Sequence, residues 1–503
     1  MNQKLRKLLL IILCLSILTA AGCKGKTTAP ESSESENSEE SIVSQDSEDI
    51  PGEDTESGEA GSESNGSDAS SGKTSSSKAS SSKTTSSKTS SVTPTDKKDT
   101  SVRDLKGRTI SYIVNWPELK KGENQRANDY WKTKESIEKK YNCKIKHVYK
   151  TPDAIEKEVI PSILSGAPIA DVFYTSGDKI FPMIKKNMLY PVSDLKQFDF
   201  NEDKWGGKKH NDLSLVNGKR YFFGNTGGAP AGAMLLYNID YFKANNLPDL
   251  FTLQKEGNWN WEALKKIARD ATKGDVIGLL GPIGIAEFAK TFIQYNGGVM
   301  VKRGTGFDFS VTLNSKNTTN ALTTFKQMVT DDKSTKVTGM TSASEFAKGK
   351  AAMYWAETYR FPEITSAMKF KLGGVTFPSG PDAPSKDFLP CIPGAGFVIP
   401  ATVSEPADIA MVLDKFIGAD NTLSWEDYYY DMVYSKDIIT TFKKIGEMGK
   451  NPVTAEYVDA VGDLYGIGLH GPLGDAASGQ QTPAQAIESL ETSLKNAVKN
   501  FGK

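Results

Sequence analysis

Arg108-Thr109-Ile110-Ser111-Tyr112-Ile113-Val114 follows the turn-like pair Lys106-Gly107. Its β-branched and aromatic residues read as a strand. From Gln125 to Tyr141 the pattern changes to helix, with Tyr130, Ile137 and Tyr141 on one face. Cys143 to Tyr149 reads as a second strand, Asp153 to Leu164 as a second helix ending at Gly166, and Ile169 to Tyr174 as a third strand. Strands that alternate with crossover helices build a parallel sheet, so the fold class is α/β. Ligands of open α/β sheets gather outside the carboxyl ends of the strands. That rule directs attention to Asn115, Trp116 and Pro117 after the first strand, and to Tyr174, Thr175, Ser176 and Asp178 after the third.

The same patterns return further along. Ala233 to Tyr237 is an apolar strand, and Asn260 is an N-cap for a helix with Trp261, Leu264, Ile267, Ala268 and Ala271 on one face. A helix through Leu322, Phe325, Met328 and Val329 follows, then a short helix ending at Lys348-Gly349 and a strand from Ala351 to Trp355. Gly396 to Ile399 is another strand, leading to a helix with Pro406 near its start. Thr482-Pro483-Ala484-Gln485 spells a capping box for a last helix whose stripe is Ile487, Leu490, Leu494, Val498 and Phe501.

Upstream of all this lies a different kind of chain. Lys4, Arg6 and Lys7 precede an apolar run from Leu8 to Leu18, far below the roughly 18 residues that span a bilayer. The run reads as a cleaved signal. Leu18-Thr19-Ala20-Ala21-Gly22-Cys23 closes it and resembles the bacterial lipobox, in which the cysteine thiol is lipidated and becomes the new N-terminus. Ala20 stands where a large apolar residue is usual. Residues 1–22 are therefore assigned to a lipoprotein signal and Cys23 to a lipid anchor on the extracytoplasmic face of the cell membrane. Residues 23–100 are mostly Ser, Thr, Glu, Lys and Gly, with almost nothing apolar beyond Ile42, Val43 and Ile50, and Lys73, Lys78, Lys83 and Lys88 recur every five positions. Such a segment buries too little apolar surface to offset the entropy of ordering it and reads as a flexible tether.

The remaining roughly four hundred residues exceed one compact core and call for two lobes. With 61 basic and 62 acidic residues the formal net charge is −1, which gives no basic excess for nucleic acid. Cys143 and Cys391 are the cysteines left after the signal and anchor. They read as two small core residues, although an extracytoplasmic compartment also permits a disulfide.

Several segments resemble those of the family 1 extracellular solute-binding proteins of the maltodextrin-binding type, the receptor components of ABC importers. Leu164-Ser165-Gly166-Ala167-Pro168-Ile169-Ala170-Asp171-Val172 is similar to the family's third strand, one residue longer and with Ala170 where proline is usual. Leu236-Tyr237-Asn238-Ile239-Asp240-Tyr241-Phe242 with Leu247-Pro248 resembles its crossover, Asn246 replacing the family's glycine. Gly257-Asn258-Trp259-Asn260-Trp261, Phe346-Ala347-Lys348-Gly349-Lys350-Ala351-Ala352-Met353 and Gly373-Gly374-Val375-Thr376-Phe377-Pro378 match further segments. The resemblance implies a two-lobed, type II periplasmic-binding-protein-like fold, with hinge-linked lobes closing on a solute between them. It implies a carbohydrate, in particular an oligosaccharide, as ligand, ABC permease subunits as partners, a monomer and no cofactor. The lobes are expected at 101–232 plus 354–396 and at 233–353 plus 397–503, with crossings near Gly232–Tyr237, Lys350–Trp355 and Gly396–Pro400.

Sugar recognition calls for aromatic faces against C–H-rich ring faces and planar polar groups for hydroxyl pairs. Trp116 and Trp355 lie where strands leave the sheet and are the candidate platforms, with Tyr174 and Asp178 beside the first. Glu357, Tyr359 and Arg360 follow Trp355 with an acceptor, a ring and a forked donor, and Asn225 lies in the Gly-rich stretch before a crossing. Surface ion pairing accounts equally for Glu357 and Arg360, turn chemistry for Asn225, and packing for most of Trp425, Tyr428, Tyr429, Tyr430 and Tyr434. Gly466-Ile467-Gly468-Leu469-His470-Gly471 has dinucleotide-motif spacing but lacks a preceding strand, and Pro472 and Gly474 interrupt a following helix, so it reads as a loop. Asp199, Asn201 and Asp203 open like a calcium loop, yet Lys204 and His210 stand at the glycine and glutamate positions. His147, His210 and His470 are isolated, so no metal site is expected. The same fold with a peptide or polyamine ligand, or an exported glycoside hydrolase using two carboxylates, remain the competing readings.

Overall fold

The computed structural model describes residues 103–502 apart from 225–231, 283, 394, 421–424 and 451. Thr95–Lys503 forms one compact unit. The signal, Cys23, the tether and Asn225 lie outside the described residues.

The strands, in chain order, are β1 (Arg108–Val114), β2 (Cys143–Tyr149), β3 (Val172–Thr175), β4 (Phe222–Phe223), β5 (Ala233–Asn238) and β6 (Ile277–Leu280). They continue with β7 (Val301–Arg303), β8 (Phe309–Val311), β9 (Thr335–Lys336), β10 (Ala351–Glu357), β11 (Leu372–Val375) and β12 (Gly396–Val398). Two five-stranded sheets result, ordered β2-β1-β3-β12-β4 and β11-β5-β10-β6-β9, and β7 and β8 form a separate hairpin pair. In the first sheet β1 is parallel to β2 and β3, while β12 is antiparallel to both β3 and β4. In the second, β10 is parallel to β6 and antiparallel to β5, which also takes β11 antiparallel. Each sheet and its helices make one lobe of an α/β protein.

Local chemistry explains why the elements sit where they do. The helix Gln125–Tyr141 starts where the Asn124 side chain accepts from the Ala127 amide, and it stops at Asn142 in the left-handed region, φ 45°. Asn260 caps Trp261–Ala271 in the same way. Thr482 and Gln485 form the reciprocal capping box, Thr482 N to Gln485 Oε1 at 3.0 Å and Gln485 N to Thr482 Oγ1 at 3.3 Å, ahead of the helix Pro483–Gly502. Gly278 on β6 is required by close approach: a Cβ there would lie 1.9 Å from the Ala268 carbonyl oxygen of the neighbouring helix.

Some expectations give way. β11 joins the second sheet and β12 the first, so 354–396 does not belong wholly to the first lobe, nor 397–503 to the second. β10 lies entirely in the second sheet, hence the chain does not cross between lobes at Lys350–Trp355. It crosses between Phe223 and Ala233, between Val375 and Gly396, and again after the helix Pro406–Asp420, which packs on Gln125–Tyr141 of the first lobe, before Lys436–Lys450, which packs on β11. The third strand starts at Val172, three residues later than expected, with Asp171 just ahead of it accepting from the Ser111 amide of β1 through its side chain, 2.7 Å. A helix, His470–Ser478, follows the Gly466–Leu469 turn after all. Pro472 falls in its first turn, where no N–H is needed. Cys143 and Cys391 are buried and form no disulfide with each other.

Candidate functional site

On the first lobe, Trp116 lies two residues past the end of β1 and Tyr174 sits on β3. Their rings meet edge to face, centroids 5.0 Å apart, and both bear on Phe397 of β12, at 6.1 and 5.2 Å. Burial pushes the Tyr174 hydroxyl above its ordinary pKa, keeping it a neutral donor. Trp116 keeps 37 % of its surface exposed, an aromatic face braced from behind. Asp178, at the start of the helix Gly177–Lys185, is held within its own lobe: it accepts from Ser176 Oγ and pairs with Lys179 at 3.1 Å. Lys179 also reaches Glu156 at 2.9 Å.

On the second lobe, the expected platform at Trp355 does not form. Its ring is 6 % exposed, set between Tyr295 at 5.7 Å and Phe377 at 5.0 Å in the main core. Side chains alternate along a strand, both faces of β10 are buried, and Met353 and Trp355 share the face that joins the main core. Glu357 ends that strand. One of its carboxylate oxygens is buried with no hydrogen-bond partner among the described residues. Burial pushes the carboxyl above the usual range against the pull of Arg360. The next turn carries Tyr359, 64 % exposed, with the Arg360 guanidinium 5.6 Å from its ring centre. Arg360 itself is buried, paired with Glu363 at 2.9 Å, and its Nε has no partner among the described residues. Glu357, Tyr359 and Arg360 are thus brought together as an exposed ring beside buried polar atoms with unused hydrogen-bonding capacity.

Other candidates had no usable sequence signal. Glu287 in the first turn of Ile285–Tyr295, past the carboxyl end of β6, has a buried carboxylate oxygen without a partner among the described residues. Tyr465 stacks on His470 with centroids 4.2 Å apart. Arg126, on the first-lobe helix Gln125–Tyr141, lies 5.3 Å from the Tyr428 ring centre on the helix Trp425–Val433, and so bridges the lobes. The rest of that tyrosine cluster divides: Trp425 and Tyr429 pack on Phe442, while Tyr430 and Tyr434 are exposed. Among the described residues no group of three His, Cys, Asp or Glu is placed to hold a metal ion.

Comparison with solved structures finds the same architecture in two-lobed type II binding proteins. An ABC substrate-binding protein from Listeria monocytogenes in complex with cycloalternan has a TM-score of 0.55 at 19 % identity, covering 79 % of this chain and 99 % of that one. The GacH receptor of Streptomyces glaucescens, solved unliganded and with acarbose, gives 0.57 at 16 % identity over 78 % and 99 %. UgpB from Mycobacterium tuberculosis in complex with glycerophosphocholine gives 0.56 at 18 % identity over 78 % and 99 %. A search of curated proteins returns no match. The family model of bacterial extracellular solute-binding proteins matches residues 122–421, a span that takes in the second sheet and all of the first except β1, and the chain belongs to that family.

Proposed function

We propose that this protein is the receptor of an ABC importer, capturing a carbohydrate, in particular an oligosaccharide, between its lobes and delivering it to a membrane permease. The observation that carries this reading is the Trp116 side chain, 37 % exposed, with its ring meeting Tyr174 edge to face at the carboxyl end of the first sheet. A rigid aromatic face of this kind packs against the C–H face of a pyranose. Tyr359 offers a second ring from the other lobe, and Glu357 and Glu287 offer acceptors for hydroxyl pairs. The cycloalternan and acarbose bound by two structural neighbours agree with this ligand class. Rotation of the lobes about the crossings after Phe223 and Val375 would close the site. Cys23 anchors the receptor to the membrane through its lipid, and the 23–100 segment gives it reach. It acts as a monomer and turns over no substrate.

The test is a thermal-shift panel on the mature chain with acarbose, maltodextrins, glycerophosphocholine, peptides and polyamines. A ligand that binds only the folded state raises the melting temperature. A shift with one glycan series, with the glycan recovered intact, is the expected result. A shift confined to glycerophosphocholine, a peptide or a polyamine would overturn the carbohydrate assignment, and glycan cleavage would overturn the receptor role.

A further inference from the structure

Trp116 stands on a connection between β1 and the helix Gln125–Tyr141, where an unsupported indole would swing. The connection is instead bolted to the helix and to β2. Glu118 Oε1 accepts from Tyr130 Oη at 2.9 Å and from Lys134 Nζ at 2.6 Å. Trp131 Nε1 donates to the Leu119 carbonyl at 2.7 Å, and His147 Nε2 lies 3.0 Å from the carbonyl oxygen of Trp116 itself. Lys134 is 6 % exposed, and its ammonium sits 4.6 Å from the centre of the Trp131 ring. Lysine is among the residues least often buried, and then only when paired.

We infer that Lys134, a buried cation paired with the half-buried Glu118, is a positioning residue for solute binding: it fixes the 116–119 connection so that Trp116 is already oriented before ligand arrives. This rests on the reading of Trp116 as a sugar platform. A buried ion pair is a poor source of stability, since desolvation consumes most of the Coulomb gain, but it fixes geometry well. Preorganising a contact residue removes the ordering cost that binding would otherwise bear. His147 contributes to the same mount. A carbonyl can only accept, so Nε2 carries the proton, and Nδ1 is buried without a partner among the described residues. Burial holds the ring below the usual imidazole pKa, with Lys134 adding to the effect and Glu118 opposing it.

Fluorine NMR of the mature chain labelled with 5-fluorotryptophan, titrated with acarbose, tests this. Trp116→Phe assigns the Trp116 resonance. In Lys134→Met, Glu118 is free to turn to water, and the Trp116 line is expected to move or broaden while that of the fully buried Trp205 stays fixed, reporting an intact fold. Acarbose affinity should fall about tenfold, chiefly through faster dissociation. An unmoved Trp116 line in Lys134→Met overturns the inference. If Lys134→Met shifts that line but acarbose leaves it unmoved in the wild type, the platform reading fails, and the role of Lys134 in binding fails with it.

Discussion

Glu456 is a carboxylate taken almost wholly out of water, 2 % exposed, in the segment that ties the two lobes together behind β7. Its Oε2 accepts from the Met300 amide at 2.7 Å and its Oε1 from Val301 at 3.0 Å and Val458 at 2.8 Å. The next residue, Tyr457, donates its hydroxyl to the Leu213 carbonyl of the first lobe at 2.8 Å. Burial outweighs these bonds and the nearby Lys290, and the carboxyl is pushed up from 4.5 to about 7. An unfolded chain releases this proton near 4.5, whereas the folded protein keeps it until about 7. The contribution of Glu456 is therefore fully present below the unfolded pKa and is lost as pH rises through the folded one, a change of about 3 kcal/mol at 1.36 kcal/mol per pKa unit. Glu456→Gln abolishes the titration at every pH, at the cost of one acceptor: its amide nitrogen cannot accept from a backbone N–H as a carboxyl oxygen does. Urea unfolding should show the stability difference moving in favour of the glutamine variant by about 2.5 kcal/mol between pH 5, where the unfolded carboxyl has already begun to ionise, and pH 8. Comparing the two profiles cancels every other titrating group. Parallel profiles between pH 5 and 8 would mean that three amide donors outweigh burial and would refute the reasoning.

Two further outcomes follow from packing alone. Gly278→Ala must displace the backbone of Trp261–Ala271, because the new Cβ meets the Ala268 carbonyl at 1.9 Å. The expected cost is about 3 kcal/mol, read as a lower melting temperature, and an unchanged one would show that the helix yields freely. Burial pushes the Cys143 thiol up to about 11 and the Cys391 thiol to about 12, so both should ignore a disulfide reagent at pH 8 until the chain is denatured. Rapid native-state labelling of either would contradict its burial.

Local signals carried a good deal of this fold. The bounds of β1, β2 and the helices Gln125–Tyr141 and Trp261–Ala271 follow from hydrophobic period and capping residues, which act within a few positions. Lobe membership does not. β11 is Leu372-Gly373-Gly374-Val375, with little side-chain pattern, and it is placed by pairing with β5 more than a hundred residues earlier. β12 is drawn back to the first sheet by β3 and β4 in the same non-local way. A chain that crosses between lobes more than once leaves no mark at the crossings, because extended segments look alike on either side.

The two tryptophan platforms show how finely a site depends on strand ends. From the sequence, both lie where a strand is expected to leave its sheet. β1 does end at Val114, so Trp116 emerges beyond the paired length and keeps an open face. β10 runs on to Glu357, with Trp355 still paired opposite Leu235 of β5 and Glu357 opposite Ala233. A ring within the paired length, on the face shared with Met353, packs into the core. Two residues of strand thus move the strand-end position from an indole to a half-buried carboxylate, and the exposed aromatic of the second lobe to Tyr359 in the following turn. The chemistry expected of that edge, one ring with hydrogen-bonding groups beside it, survives the shift. It is made by Glu357, Tyr359 and Arg360, whose unpartnered buried oxygen and nitrogen among the described residues are the capacity that a hydroxyl-rich ligand would fill.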